Sequence, residues 1–434
     1  MKVLIIGSGL KEAALIWKLR ASEKYSGIEV LLAPGNQALA EHAEILDCEL
    51  NDPNRLLEIA IARNIHLTIV GEAELFTKGI VDLFRENGKL ILGPTKAAAM
   101  LEASNLFARD FAYRNEIPSP RFVCFENKVV AEAFLERASF PIRICADQEF
   151  ETNTPARVAC DVAEAQKLIQ TMFKNRFLQR TSSKVIFEEV IEGPRITINT
   201  ICDGERALSL LPVQTYRETN ENDGYQDMGA YAPTPVLTTE LMKEIRATIL
   251  DPSIKALAED GCAYTGILAF DIVLDERDHN KPKLIKYRTC LADSDAQVIL
   301  PLLDEDLFEL ITASASEDLG FYKEGLHKYL GSALAVNVIA ADAVLGFGQN
   351  LAAIDAMRSE QKNLEENFSG LPLLFYGLAA ANNGSQGNQT EVFGATAVAE
   401  NLLDAQILAY KLADKISLPS KYFETNIGDA GMIV

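Results

Sequence analysis

The first ninety-odd residues alternate short apolar runs with helical patterns. Apolar runs at 3–6, 29–32, 67–70 and 90–92 predict strands, and 11–20, 53–63 and 77–85 between them predict helices. Strand–helix alternation of this kind implies a parallel sheet with helices on both faces. Gly93-Pro94-Thr95 closes the unit with turn residues, and 96–117 follow as one long helical pattern that stops at Pro118. A smaller α/β segment comes next, with predicted strands at 121–125 and 142–146 and helices at 130–137 and 162–173. From 185 to 300 strands dominate, at 185–189, 195–202, 207–212, 267–274 and 282–287, with one helix at 239–261. The last stretch has strand patterns at 333–341 and 392–399, a helix at 401–416, and a polar, Gly-containing turn at 382–389. The fold class is therefore α/β: an N-terminal doubly wound parallel-sheet domain, then smaller mixed segments.

Composition narrows the class. The 434 residues are 48% hydrophobic and 24% charged, an ordinary globular mix that excludes disorder and fibrous repeats. Lys plus Arg number 41 against 62 Asp plus Glu, a net charge of −21. That balance argues against coating nucleic acid or an anionic membrane, while leaving room for a local phosphate pocket. The seven cysteines are scattered singly with no CxxC pair, as reduced thiols are in a cytosolic chain. The four histidines form no metal-ligand spacing. The apolar N-terminal run is too short for a signal segment, and 333–348 falls short of a membrane span, so a cytoplasmic location is expected.

Gly7-Ser8-Gly9 follows the first strand and opens a helix, a place where backbone amides can approach a phosphate. The third glycine of the dinucleotide fingerprint is replaced by Glu12, and the second strand ends in Leu32-Ala33-Pro34-Gly35-Asn36 without a ribose-binding acid. A nicotinamide dehydrogenase is disfavoured, and a structural turn competes with a ligand site.

The order of segments is more specific. Pro34-Gly35-Asn36, Val70-Gly71, Gly93-Pro94-Thr95, Leu101-Glu102-Ala103-Ser104, Glu188-Glu189, Met228-Gly229-Ala230-Tyr231-Ala232-Pro233 and Tyr264-Thr265-Gly266 run collinearly along the chain. The series resembles the glycinamide ribonucleotide synthetases (phosphoribosylamine–glycine ligases) of purine synthesis, which are ATP-grasp enzymes. The resemblance implies four parts: an N-terminal substrate-type domain at 1–100, ATP-grasp subdomains at 101–190 and 191–325, and a C-terminal domain at 326–434. It implies ATP and Mg2+ (or Mn2+) as cofactors, glycine and phosphoribosylamine as small-molecule substrates, and neither nucleic acid nor membrane as partner. Glu188, Glu189, Val190 and Ile191 match the hinge that meets adenine, with a plain strand end as the competing reading. Gly7, Gly9, Lys11, Pro34, Gly35, Asn36, Gln214, Gly229 and Tyr231 match substrate-side positions.

The chain departs from the family where the chemistry is expected. The phosphate lysine of LExSK is Asn105, and the lysine of IKADGLAAGKG is Cys145, followed by Gln148-Glu149-Phe150-Glu151 in place of glycines. The metal-binding EFN reads Lys286-Tyr287-Arg288. Asp271, with Asp293 or Asp295, is a candidate replacement metal ligand; the alternatives are a plain strand acid, or ion pairs of these acids with Lys286 and Arg288. Two functions follow: a working ligase, or a catalytically inactive descendant that binds a ligand or a protein partner.

Overall fold

The structure is a computed structural model and describes residues 1–35, 37–49, 51–148, 156–174, 184–220, 224–322, 326, 331–340, 347–380, 389–417 and 421–432. Strand β1 (Lys2–Gly7) is the centre of a five-stranded sheet with β2 (Glu29–Pro34), β3 (Glu44–Ile45), β4 (Leu67–Val70) and β5 (Ile91–Leu92), ordered β3-β2-β1-β4-β5 and parallel throughout. Successive residues of β1 serve opposite layers. Val3 and Ile5 pack with Ala14 and Leu15 of the helix Leu10–Arg20, while Leu4 and Ile6 pack with Leu56, Val81 and Phe84. All four are fully buried, each side chain contributing about 1.5–3 kcal/mol by removal from water. The doubly wound N-terminal unit expected from the strand–helix alternation is present.

Strands β6 (Phe122–Phe125), β7 (Ile142–Ala146), β8 (Arg157–Ala159) and β9 (Val185–Glu189) form an antiparallel sheet in the order β6-β9-β7-β8. One face packs Ile144, Phe187 and Phe125 against Ala165, Ile169 and Met172 of the helix Val162–Lys174. The remaining strands build one large sheet: β10 (Arg195–Asp203), β11 (Ala207–Asn220), β12 (Gly224–Ala232), β13 (Thr265–Asp275), β14 (Lys281–Arg288), β15 (Ser332–Ala340), β16 (Leu371–Ala380) and β17 (Gln389–Ala399), ordered β14-β13-β10-β11-β12-β15-β17-β16. A short β18 (Lys421–Tyr422) pairs with β15. The helix Asp293–Ile299, with Ser294 through Ile299 buried, packs on the helix Leu10–Arg20 and on β11, β12 and β15.

Some predicted elements are broken by identifiable residues. The helix expected at 77–85 is two helices, Ala73–Thr77 and Ile80–Glu86, because Gly79 adopts φ +79° between them. The pattern at 96–117 divides into Met100–Ala103 and Asn105–Arg114, since Ser104 is extended and its side chain accepts from the Phe107 amide as an N-cap. The expected turn at 382–389 lies outside the described residues except Gln389, which begins β17. Among the described residues no helix is long and apolar enough to cross a membrane.

Candidate functional site

At the carboxyl edge of the parallel sheet, Gly7 of β1 stands opposite Pro34 of β2, with Gly35 following at φ +68°. This edge is where open α/β sheets bind ligands. Gly7, Gly9, Lys11 and Pro34 are thus brought to one edge, and Asn36 lies outside the described residues. The helix Leu10–Arg20 begins here, and the chain's own acids occupy its first amides. Gly9 N donates to Glu12 Oε2 at 2.6 Å, and Lys11 N donates to Asp293 Oδ1 at 3.1 Å. The Lys11 ammonium lies 3.7 Å from Glu12 and 3.6 Å from Asp293.

Glu12 is fully buried and its Oε1 has no hydrogen-bond partner among the described residues. A Cβ on Gly71, just past β4, would fall 1.7 Å from that oxygen, so a larger residue there would displace the Glu12 carboxyl. Burial pushes the Glu12 carboxyl up to about 7 against the pull of Lys11, with Asp293 and Glu72 adding to the rise. Burial also opposes the Lys11 charge, but Glu12, Asp293 and Glu72 outweigh it and hold that ammonium well above the ordinary lysine value. The loop therefore presents one cation among three acids, a poor field for a phosphate.

A second cluster joins β10, β13, β14 and the start of the helix Asp293–Ile299. The β13 acid Asp271 stands opposite Thr197 of β10 and Lys286 of β14. Arg288 Nη2 donates to Asp271 Oδ1 at 3.0 Å and to Asp295 Oδ2 at 2.9 Å, and Arg288 Nε donates to Asp271 Oδ2 at 3.2 Å. Thr197 Oγ1 donates to Asp271 Oδ1 at 2.8 Å, and Asn199 Nδ2 donates to Asp295 Oδ2 at 3.1 Å. Burial disfavours the guanidinium charge, but Asp271 and Asp295 overcome that cost and raise its pKa above the ordinary arginine value. Asp271 and Asp293, paired as candidate ligands in the sequence, are engaged by different cations: Arg288 holds the first and Lys11 the second.

The third cluster lies on the four-stranded sheet. Glu188 of β9 is buried between two guanidiniums: Arg109 Nε donates to its Oε1 at 2.6 Å, and Arg143 Nη1 donates to its Oε2. Burial pushes this carboxyl up, but Arg109 and Arg143, by charge and hydrogen bonds, hold it down at about 2. Arg109 Nη2 also donates to Ile285 O at 2.6 Å, linking β9 to β14. Glu189 is paired with Arg121 Nε at 3.0 Å near the surface, Val190 is half-buried, and Ile191 is buried.

The positions where the resemblance expects phosphate-binding lysines are part of the scaffold. Asn105 Nδ2 donates to Ala146 O at 2.9 Å, fastening a helix start to β7. Cys145 is fully buried beside Ile186 and Ala156. In the large sheet, the Tyr231 and Thr234 hydroxyls both donate to Gln214 Oε1, at 2.6 and 3.0 Å. Tyr231 is fully buried and burial lifts its hydroxyl to about 12. Gly229, at φ +146°, meets β15 where a Cβ would lie 2.2 Å from Ala335 O. The sequence pattern alone does not single out Arg109, Arg143, Thr197 or Asn199; the usable signal is a polar or charged side chain where the pattern of a helix or strand expects an apolar one.

Residues 1–102 match the family described as "Phosphoribosylglycinamide synthetase, N domain", and residues 103–296 match "Phosphoribosylglycinamide synthetase, ATP-grasp (A) domain". Together with the sheet architecture, this makes the chain an ATP-grasp protein. A relative from Brucella melitensis named phosphoribosylamine–glycine ligase is 30% identical over 431 residues, covering 99% of this chain and 97% of that one. One of the same name from Chlorobaculum tepidum is 30% identical over 435 residues, covering 99% of each. The chain belongs to the phosphoribosylglycinamide synthetase family. In fold it is similar to phosphoribosylamine–glycine ligase from Thermotoga maritima, with a TM-score of 0.74 at 19% identity, covering 98% of this chain and 100% of that one. It is also similar to biotin carboxylase from Campylobacter jejuni, with a TM-score of 0.65 at 13% identity, covering 94% and 90%.

Proposed function

We propose that this chain is a phosphoribosylamine–glycine ligase-type protein of purine synthesis whose ATP–metal chemistry has been replaced by internal structural contacts. It works as a binding protein for a small ligand or a protein partner. The observation that carries this reading is the use made of positions 105 and 145. Asn105 fastens a helix to β7, and Cys145 is a buried thiol beside Ile186 and Ala156 that accepts from Arg143 Nη1 at 3.5 Å. Neither side chain is itself a cation for a transferring phosphoryl group, and Arg143 is engaged by Glu188. Such transfer depends on cations and donors preorganised where charge develops, and losing one donor typically costs about 10²–10³ in rate. Two lysine positions and a metal pattern are altered together, so the loss is at least the ~10²–10³ of a single donor, because such losses do not simply add.

A second reading, a working ligase, is supported by the likeness to curated ligases over 99% of the chain. The two are separated by turnover. The purified protein is supplied with ATP, magnesium, glycine and phosphoribosylamine generated in place, and ADP release is followed. The proposal expects no substrate-dependent ADP above the no-enzyme rate. Glycine-dependent ADP release at an ordinary enzymic rate refutes it and establishes the ligase.

A further inference from the structure

We propose that Arg288 is a built-in cation standing in for a divalent ion, so that this chain folds, and binds whatever ligand it takes, without metal. The proposal deepens the functional reading above and rests on it for the family context only; the geometry is independent of it. The acids available to an ion here are Asp271 and Asp295, with Asn199 and Thr197 beside them. One guanidinium spans both carboxylates, with Nη2 at 3.0 Å from the first and 2.9 Å from the second, and Nε closing a fork on Asp271. This planar two-point match to carboxylates is what arginine provides and a point cation does not.

The space is taken as well as the charge. A Mg2+ ion needs oxygen ligands at about 2.0–2.1 Å in near-octahedral array. The guanidinium nitrogens already occupy the volume between these oxygens, and a second cation at contact distance would be strongly repelled in so buried a place. The Arg288 side chain is 11% exposed, with Asp271 at 14% and Asp295 at 0%, so water relieves little of that repulsion. Asp295 Oδ1 and Asn199 Oδ1 are buried without a hydrogen-bond partner among the described residues. Those leftover acceptors fit a site shaped for an ion of more bonds than one guanidinium can make. Removing the arginine therefore uncovers an oxygen-rich pocket.

The test is a Mn2+ titration followed by electron paramagnetic resonance, in which bound Mn2+ loses the free-ion signal, run beside thermal melts with magnesium or EDTA. Wild type is expected to leave the Mn2+ signal unchanged and to melt at the same temperature in both. The pair Lys286→Glu and Arg288→Asn is expected to take up one Mn2+ per chain and to melt higher with magnesium than with EDTA. Arg288→Lys, which keeps a cation between the two acids, is expected to stay silent to Mn2+. Uptake of one Mn2+ by wild type or by Arg288→Lys overturns the proposal, and so does a folded double variant that ignores Mn2+. If the double variant does not fold, wild type and Arg288→Lys decide. Glycine-dependent ADP release that persists in EDTA would contradict the functional reading yet support a built-in cation. Mn2+ uptake without ATP binding does the reverse.

Discussion

Replacing Glu188 by glutamine tests how much of the central region rests on one buried ion triad. Its side chain is 1% exposed and lies between Arg109, 4% exposed, and Arg143, 18% exposed. A carboxyl held at about 2 instead of 4.5 corresponds to about 3 kcal/mol of stability at neutral pH. An independent expectation agrees: removing one partner of a buried ion pair costs about 3–5 kcal/mol, because the remaining charge is buried without compensation. The sign follows from the direction of the shift. A depressed carboxyl stabilises fully above its unfolded value, near pH 4.5, and that stability is lost as pH falls through about 2. The gap between wild type and Glu188→Gln, measured by urea unfolding or by amide exchange of β9, is thus about 3 kcal/mol at pH 7 and about 1 kcal/mol at pH 3. The loss extends to β14, since Arg109 also holds Ile285 O. A variant within about 0.5 kcal/mol of wild type at pH 7, the range of a neutral surface change, refutes the reasoning. A gap unchanged down to pH 3 refutes it equally.

Glu12→Gln is expected to act with the opposite sign. The Glu12 carboxyl is raised to about 7, so the fold favours its neutral form, and stability falls as pH rises from about 4.5 through 7. Melting curves of the variant should therefore gain on wild type by about 1–3 kcal/mol between pH 5 and pH 8; a gain equal at both pH values would show that the carboxyl is not buried in its charged form. Gln214→Ala leaves the Tyr231 and Thr234 hydroxyls without their shared acceptor. The expected cost is about 1–3 kcal/mol in thermal unfolding, and an unchanged melting temperature would place that acceptor in contact with solvent.

Much of the architecture was legible because it depends on patterns that local chemistry enforces. Strands β4, β7 and β9 fall where their apolar runs predict them, at Leu67–Val70, Ile142–Ala146 and Val185–Glu189. What escaped was set by partners distant in sequence. β12 (Gly224–Ala232) carries glycine and polar residues, and its strand form is fixed by pairing with β11 and β15. The continuous helix expected at 239–261 is interrupted by a π-helical turn at Arg246–Leu250, ahead of Pro252. At the site, the ion pairs of Asp271 and Asp295 with Arg288 were one of the alternatives the sequence left open. The fork itself was not legible, because it joins residues of β13, β14 and the helix after it. The Arg109–Glu188 pair, 79 positions apart, left only the weak sign of an arginine on a helix's buried face.

Loss of the phosphate lysines and occupation of the metal position by Arg288 both bear on one property, magnesium-dependent binding of ATP. Calorimetric titration of the purified chain with ATP, carried out with excess magnesium and again with EDTA, tests this most directly. No saturable, magnesium-dependent heat is expected up to millimolar nucleotide, because Asn105 and Cys145 serve the scaffold and Arg288 holds Asp271 and Asp295. Micromolar binding that appears with magnesium and disappears with EDTA would contradict it.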